Sequence, residues 1–260
     1  MQKLLLTVQL QYGLLYWIQR GKARGTGASP AELHNKERQE AMEYQIDIRP
    51  FQPEDQEALA GVIRRTWRYD RFCGPKTAQR LGRVYLRQCL TQQTFTRVAV
   101  VDGVPVGIIM GKNERTHRCP WSLRWRAARA VLALLATREG RKVARLFSGV
   151  ERINQALLSR CPQSYPGQGA RRSDQVEIDV EADRLGRRGM GLGKRLFQAV
   201  MDNMRQEGIG TVFLFTDTSC NYGFYEHQGM VRRAEQTQRI WLGQESGEMT
   251  FFVYDYTLDG

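Results

Sequence analysis

Residues 188–195 read Arg188-Gly-Met-Gly-Leu-Gly193-Lys-Arg195, three glycines at alternate positions followed at once by two basic residues. Upstream, the alternation of Val176-Glu-Ile-Asp-Val180 predicts a β-strand; downstream, Leu196, Val200 and Met204 recur at helical spacing. A strand, a glycine turn and a helix start therefore succeed one another. Glycines strip side chains from the turn, so backbone N–H groups can approach an anion closely, and the helix N-terminus adds partial positive charge. The stretch reads as a phosphate cradle.

Counting decides between kinds of cradle. The nucleoside-triphosphate loop needs Gly, four residues, Gly-Lys and then Ser or Thr. Counted back from Gly193-Lys194, its first glycine falls on Arg188, and Arg195 takes the magnesium-holding Ser/Thr place. The dinucleotide pattern Gly-x-Gly-x-x-Gly meets Arg188 when started at Gly186 and Lys194 when started at Gly189. The spacing that fits is Arg188-x-x-Gly191-x-Gly193. It resembles the pyrophosphate loop of the GNAT superfamily of acetyl-CoA-dependent N-acetyltransferases; a plain Gly-rich turn capping a basic helix is the alternative.

Outward from the loop, the pattern extends in both directions. Tyr44, Ile46 and Ile48 alternate as a first strand, and Pro53-Glu-Asp opens a helix through Val62 and Trp67 with acidic residues in its first turn. A second helix runs from Pro75 to about Gln92. Strands 97–101 and 104–110 are joined by Asp102-Gly103, a strong hairpin dipeptide. Helices are expected at Trp121–Thr137 and Arg141–Arg160, then the strand at 176–182, the glycine loop and its helix to Glu207. Gly208-Ile-Gly210 breaks that helix. Thr211–Phe215 is an apolar strand of the buried kind, Asn221–Gly229 a short helical stretch, and 230–240 and 249–258 a closing hairpin.

The order β-α-α-β-β-(insert)-β-α-β-α-β-β is that of the GNAT fold apart from the insert. A second stretch, Asn221-Tyr-Gly-Phe-Tyr225-Glu-His-Gln-Gly-Met230, resembles that superfamily's later signature and follows Gly193 by 28 residues, room for one helix and one strand. The resemblance covers about residues 42–111 and 173–258. It implies an α/β (α+β) fold: a mixed, mostly antiparallel, twisted sheet of about seven strands flanked by helices. The expected organisation is a 1–41 extension, flexible or non-native, before Met42, and one acetyltransferase domain at 42–258 carrying a basic helical insert at 112–172.

Composition bounds the partners. The net charge of +12 is segregated: residues 112–172 hold fourteen Lys and Arg against three Glu. Such a segment invites an anionic partner, nucleic acid included, or is a solvated Arg-rich face. No stretch approaches the ~18 consecutive apolar residues of a membrane helix, so no membrane partner is expected. The five cysteines are scattered with no Cys-x-x-Cys, and the three histidines lie far apart. These features point to reduced thiols, a cytoplasmic setting and no metal. A monomer or a homodimer fits equally.

Acetyl transfer requires the cofactor pyrophosphate to be held, the thioester oxygen polarised, the ammonium deprotonated and the thiolate reprotonated. The resemblance assigns the first to the loop Arg188, Gly189, Met190, Gly191, Leu192, Gly193 and Lys194, with acetyl-CoA as donor. The side chains of Lys194 and Arg195 either add charge toward the phosphates or face solvent. The resemblance assigns the second to backbone N–H groups around Val180, Glu181 and Ala182, on a strand that splays from its neighbour in the family. Strand alternation sets Glu177, Asp179 and Glu181 on one face, and crowding of like charges raises a carboxyl pKa toward what a base needs. Glu177 stands first as that base and Asp179 second; a water molecule is the alternative, with the carboxylates holding the substrate's positive charge or pairing with the basic insert. Tyr225 is the proton donor by resemblance, with Asn221 contacting the cofactor, and Phe224 reads as core. His227 reads as a surface residue. Cys220 has no acid–base partner nearby in sequence, so direct transfer in a ternary complex is preferred to an acyl-enzyme.

The acceptor is then an amine on a small molecule or peptide. Trp121, Trp125 and Leu132-Ala-Leu-Leu135 suggest helices packed over the sheet, with Arg124, Arg126, Arg129 and Arg138 facing water or a ligand. The competing function is a degenerate acetyltransferase-like module whose basic insert binds nucleic acid or an acidic partner.

Overall fold

Ile46 and Ile48 lie on β1 (Ile46–Arg49), one edge strand of a seven-stranded sheet among the described residues. The structure is a computed structural model describing residues 44–258, apart from 72, 114, 160–174, 183–190, 219–220 and 243–244. The expected 1–41 extension, the tail of the insert, Arg188, Gly189, Met190 and Cys220 lie outside the described residues.

After β1 come α1 (Gln56–Thr66) and α2 (Pro75–Gln92), then the hairpin of β2 (Phe95–Val101) and β3 (Val104–Asn113). The insert supplies α3 (Trp121–Leu135) and α4 (Arg138–Ser159). There follow β4 (Gln175–Ala182), α5 (Leu192–Gln206), β5 (Thr211–Asp217), the short α6 (Gly223–His227) and the hairpin of β6 (Val231–Leu242) and β7 (Glu245–Thr257). The element order matches that read from the sequence. Asp102 and Gly103 both have positive φ, 50° and 78°, as a two-residue turn between twisted strands requires.

The sheet order is β1-β2-β3-β4-β5-β7-β6, and every neighbouring pair is antiparallel except β4 with β5. Strand alternation divides its apolar residues between two layers. Phe213 and Phe215 join Leu59, Leu81, Leu134 and Phe147 under α1–α4, whereas Val212 and Leu214 join Leu196, Val200 and Met204 under α5. The spacing that predicted α5 is therefore its core stripe. Each such side chain contributes about 1.5–3 kcal/mol when fully buried.

Polar contacts tie the helices to this frame. Arg49 at the end of β1 grips Asp55 with two hydrogen bonds, 2.7 and 2.8 Å, and the Gln52 N–H donates to the same carboxylate at 2.8 Å. Glu139 of α4 accepts from the Gly74 N–H at 2.8 Å and from the Thr77 hydroxyl, so a carboxylate from the insert caps α2. Those bonds, Thr77 first, hold its pKa below the ordinary carboxylate value.

The insert corrects two expectations. The break between its helices is shorter than expected because Thr137 caps α4, its Oγ1 accepting the Gly140 N–H at 3.0 Å. The tryptophans do not pack over the sheet. Trp121, Trp125 and Leu132 are 68%, 52% and 63% exposed, while Ala127, Ala130 and Leu134 form the buried face of α3. Small residues let α3 approach α2 closely, which turns the bulkier stripe outward. Arg124, Arg126, Arg129 and Arg138 are exposed as expected.

Candidate active site

The parallel ladder between β4 and β5 is short. It runs through Gln175↔Thr211, Val176↔Val212 and Glu177↔Phe213 and goes no further. Beyond that rung β4 continues to Ala182 paired with β3, and β5 continues to Asp217 paired with β7. Two strands in mid-sheet thus part at their C-terminal ends. In an antiparallel pair, alternate residues direct their N–H and C=O away from the partner strand. Alternate residues of 178–182 therefore turn backbone donors from β3 into the opening. Val180, Glu181 and Ala182 stand there opposite Ile109, Ile108 and Gly107. Asp179 is opposite Met110, and Glu177, opposite Lys112, belongs to the last closed rung.

At this end of the sheet α5 begins. Gly191 precedes it with φ +67°, and a Cβ built there would meet nothing within 4 Å. The ladder of α5 starts with the Arg195 N–H on the Gly191 carbonyl at 3.0 Å. The N–H groups of Leu192, Gly193 and Lys194 consequently project from the helix end. The Leu192 side chain is core, so only its backbone serves the cradle; Lys194 and Arg195 are exposed. An exposed, left-handed glycine ahead of three projecting donors suits a pyrophosphate group.

The Asn221 and Tyr225 stretch lies against the same helix end. The Phe224 ring packs edge-on to Phe197 of α5 at 5.9 Å, and a Cβ at Gly193 would lie 3.7 Å from it. Phe224, read as core, is partly buried and packs against the layer under α5. Tyr225, half-buried, follows with ring centroids 5.4 Å from Phe224 and 6.2 Å from Tyr254. Asn221 is exposed, its carbonyl accepting the Phe224 N–H at 3.0 Å. His227 is exposed, as expected.

Sequence reasoning missed what holds Tyr225. Tyr254 donates its hydroxyl to Glu226 at 2.7 Å, and Arg232 donates to the Tyr254 hydroxyl at 3.0 Å and to Glu226 at 2.6 Å. The Arg232 guanidinium also lies 4.4 Å over the Phe252 ring. Burial, then the bond to Glu226, pushes Tyr254 up to about 12, so it stays a protonated donor. The Tyr254 bond, then Arg232, holds Glu226 below its ordinary value. This knot pins α6 to the β6–β7 hairpin. Also missed was Thr216, beyond the last rung on β5: its hydroxyl is buried without a hydrogen-bonding partner among the described residues. Only strand alternation, which sets it with Val212 and Leu214, hints at its face.

Residues 184–230, from the loop through Tyr225, match the sequence model of the acetyltransferase (GNAT) family. The chain resembles the GNAT acetyltransferases. Three solved structures are similar to the chain at low identity. The protein smu.2055 from Streptococcus mutans is 15% identical, covering 82% of this chain and 99% of its own, with a TM-score of 0.49. The yncA protein from Salmonella typhimurium, solved with its cofactor acetyl-CoA, is 15% identical over 82% of this chain and 94% of its own, TM-score 0.43. The ribosomal-protein-S18-alanine N-acetyltransferase from Escherichia coli is 10% identical over 83% and 97%, TM-score 0.45. No curated protein matches the sequence. Among the described residues no helix is long and apolar enough to cross a membrane.

Proposed function

We propose that the chain is an N-acetyltransferase that moves an acetyl group from acetyl-CoA to a primary amine, directly within a ternary complex. The observation that carries this reading is the parting of β4 from β5 after Glu177 and Phe213, beside a helix opened by a left-handed glycine. The working unit is residues 42–258, with 112–172 as its insert, in a reducing, cytoplasmic setting.

Acetyl-CoA, when bound, supplies the acetyl group as a thioester. Arg188, Gly189, Met190, Gly191, Leu192, Gly193 and Lys194 hold the pyrophosphate, the last three through the N–H groups that project from the start of α5. Backbone donors among Val180, Glu181 and Ala182 polarise the thioester oxygen, being fixed before reaction by the β3 ladder. Glu177, or Asp179 behind it, takes the ammonium proton, directly or through water. Tyr225 gives its hydroxyl proton to the leaving sulfur while Asn221 contacts the cofactor. The acceptor is an amine on a small molecule or a peptide.

Calorimetric titration of the purified chain with acetyl-CoA and with CoA tests the reading. Saturable binding of both is expected. No binding of either removes it.

A further inference from the structure

Where α2 and α3 pack, three arginines meet. Arg87 of α2 and Arg126 and Arg129 of α3 line a cavity of about 330 Å³ whose remaining lining is Ala130 and Ala133. No carboxylate lines it. Neither Arg126 nor Arg129 has an ion pair among the described residues, and the nearby Glu57 is engaged by Arg83 through bonds of 2.7 and 3.0 Å. The Arg87 Nε is buried with no hydrogen-bonding partner among the described residues. Buried donors are seldom left so, because an unmet one costs about 1–3 kcal/mol. Burial, then the charges of Arg126, Arg83 and Arg129, holds the Arg87 pKa below its ordinary value.

A second cavity of about 390 Å³ shares Arg87 and Arg126 and adds the apolar Phe51, Pro53, Leu90 and Leu123 together with Glu54, Gln56 and Glu57. Its four apolar residues continue the arginine seam, and Glu57 there is already engaged by Arg83. Both cavities lie away from the glycine loop. Leu90 near the end of α2 lines one groove with Glu207, just past the end of α5, where Asn113 donates to Glu207 at 2.6 Å. The loop opens the other end of α5, about 20 Å away at 1.5 Å per residue.

We propose that Arg87, Arg126 and Arg129 form a second anion site, for a phosphate monoester with an apolar body, independent of the acetyl-CoA reading. Guanidinium forks match phosphate oxygens in pairs, and a divalent anion relieves the repulsion among three cations. Phe51, Pro53, Leu90 and Leu123 of the second cavity take the ester's apolar substituent.

The test uses the full chain and Arg126→Gln/Arg129→Gln, both exposed positions on α3. Thermal melts in chloride and in inorganic phosphate at equal ionic strength give one arm. Sedimentation with phosphatidylcholine vesicles, with and without phosphatidic acid, gives the other and separates a free phosphate from a lipid headgroup. Inorganic phosphate or phosphatidic acid is expected to bind the wild type saturably, and the double variant about tenfold more weakly. In chloride the variant should melt higher, its repulsion being relieved. Phosphate stabilisation unchanged in the double variant would assign the anion to the glycine loop and overturn the proposal. Binding in neither arm overturns it as well.

Discussion

Glu177 of β4 and Phe213 of β5 form the last rung of the parallel ladder, and past them the two strands share no partner positions. A sheet normally satisfies its backbone groups laterally, and unpaired buried ones are costly. An opening in mid-sheet is therefore retained for what fills it. α5, whose N-terminal donors project, packs against β4, and Phe224 beside Tyr225 packs on that helix, so the three features are best explained together.

Tyr225→Phe keeps the ring contacts with Phe224 and Tyr254 and removes only the hydroxyl. General-acid catalysis contributes about 10²–10⁴-fold. We expect kcat to fall by about a hundredfold with the Kd for acetyl-CoA within about twofold. Steady-state CoA release and calorimetry measure the two; an unchanged kcat removes Tyr225 from its role.

Gly191→Ala places a Cβ where φ is +67°. There is room for it, so the cost is conformational, about 1 kcal/mol. The variant should lose that much stability in urea melts. It should also bind CoA more weakly, because the turn aims the N–H groups of Leu192, Gly193 and Lys194.

The strand order was readable because local signals repeat it. Asp102-Gly103 names its own turn, and Phe213 and Phe215 against Val212 and Leu214 mark a strand covered on both faces. The parting of β4 from β5 was not, since pairing between segments more than 30 residues apart leaves no local trace. The α3 tryptophans misled for a different reason. That helix carries two apolar stripes, and only the packing against α2 decides that Ala127, Ala130 and Leu134 face inward. Likewise Glu226, Arg232 and Tyr254 come from three elements and converge only when the β6–β7 hairpin folds beside α6.

Thr216→Val exchanges a buried hydroxyl without a partner for a methyl of similar shape. No hydrogen bond is lost and an unmet desolvation cost is removed. The unliganded chain should gain about 1 kcal/mol, visible as a higher Tm. A lower Tm would mean that the hydroxyl is satisfied in solution.

Asp55 is 3% exposed and held by Arg49 and the Gln52 N–H at the joint between β1 and α1. Burial pushes its pKa up, but the Arg49 hydrogen bond and the Gln52 N–H outweigh burial and leave it below the ordinary value. A carboxyl whose folded pKa is depressed contributes stability that is fully present above its unfolded pKa, about 3.9 for Asp. That contribution disappears as pH falls through the lower, folded value. Asp55→Asn should therefore cost about 2–3 kcal/mol at neutral pH, where a charged pair is lost. As pH falls below the ordinary carboxylate value and through the lower, folded one, the gap should narrow. Urea unfolding of both proteins across that window measures it. A constant difference would mean that the Asp55 charge contributes nothing and that shape alone fixes the joint.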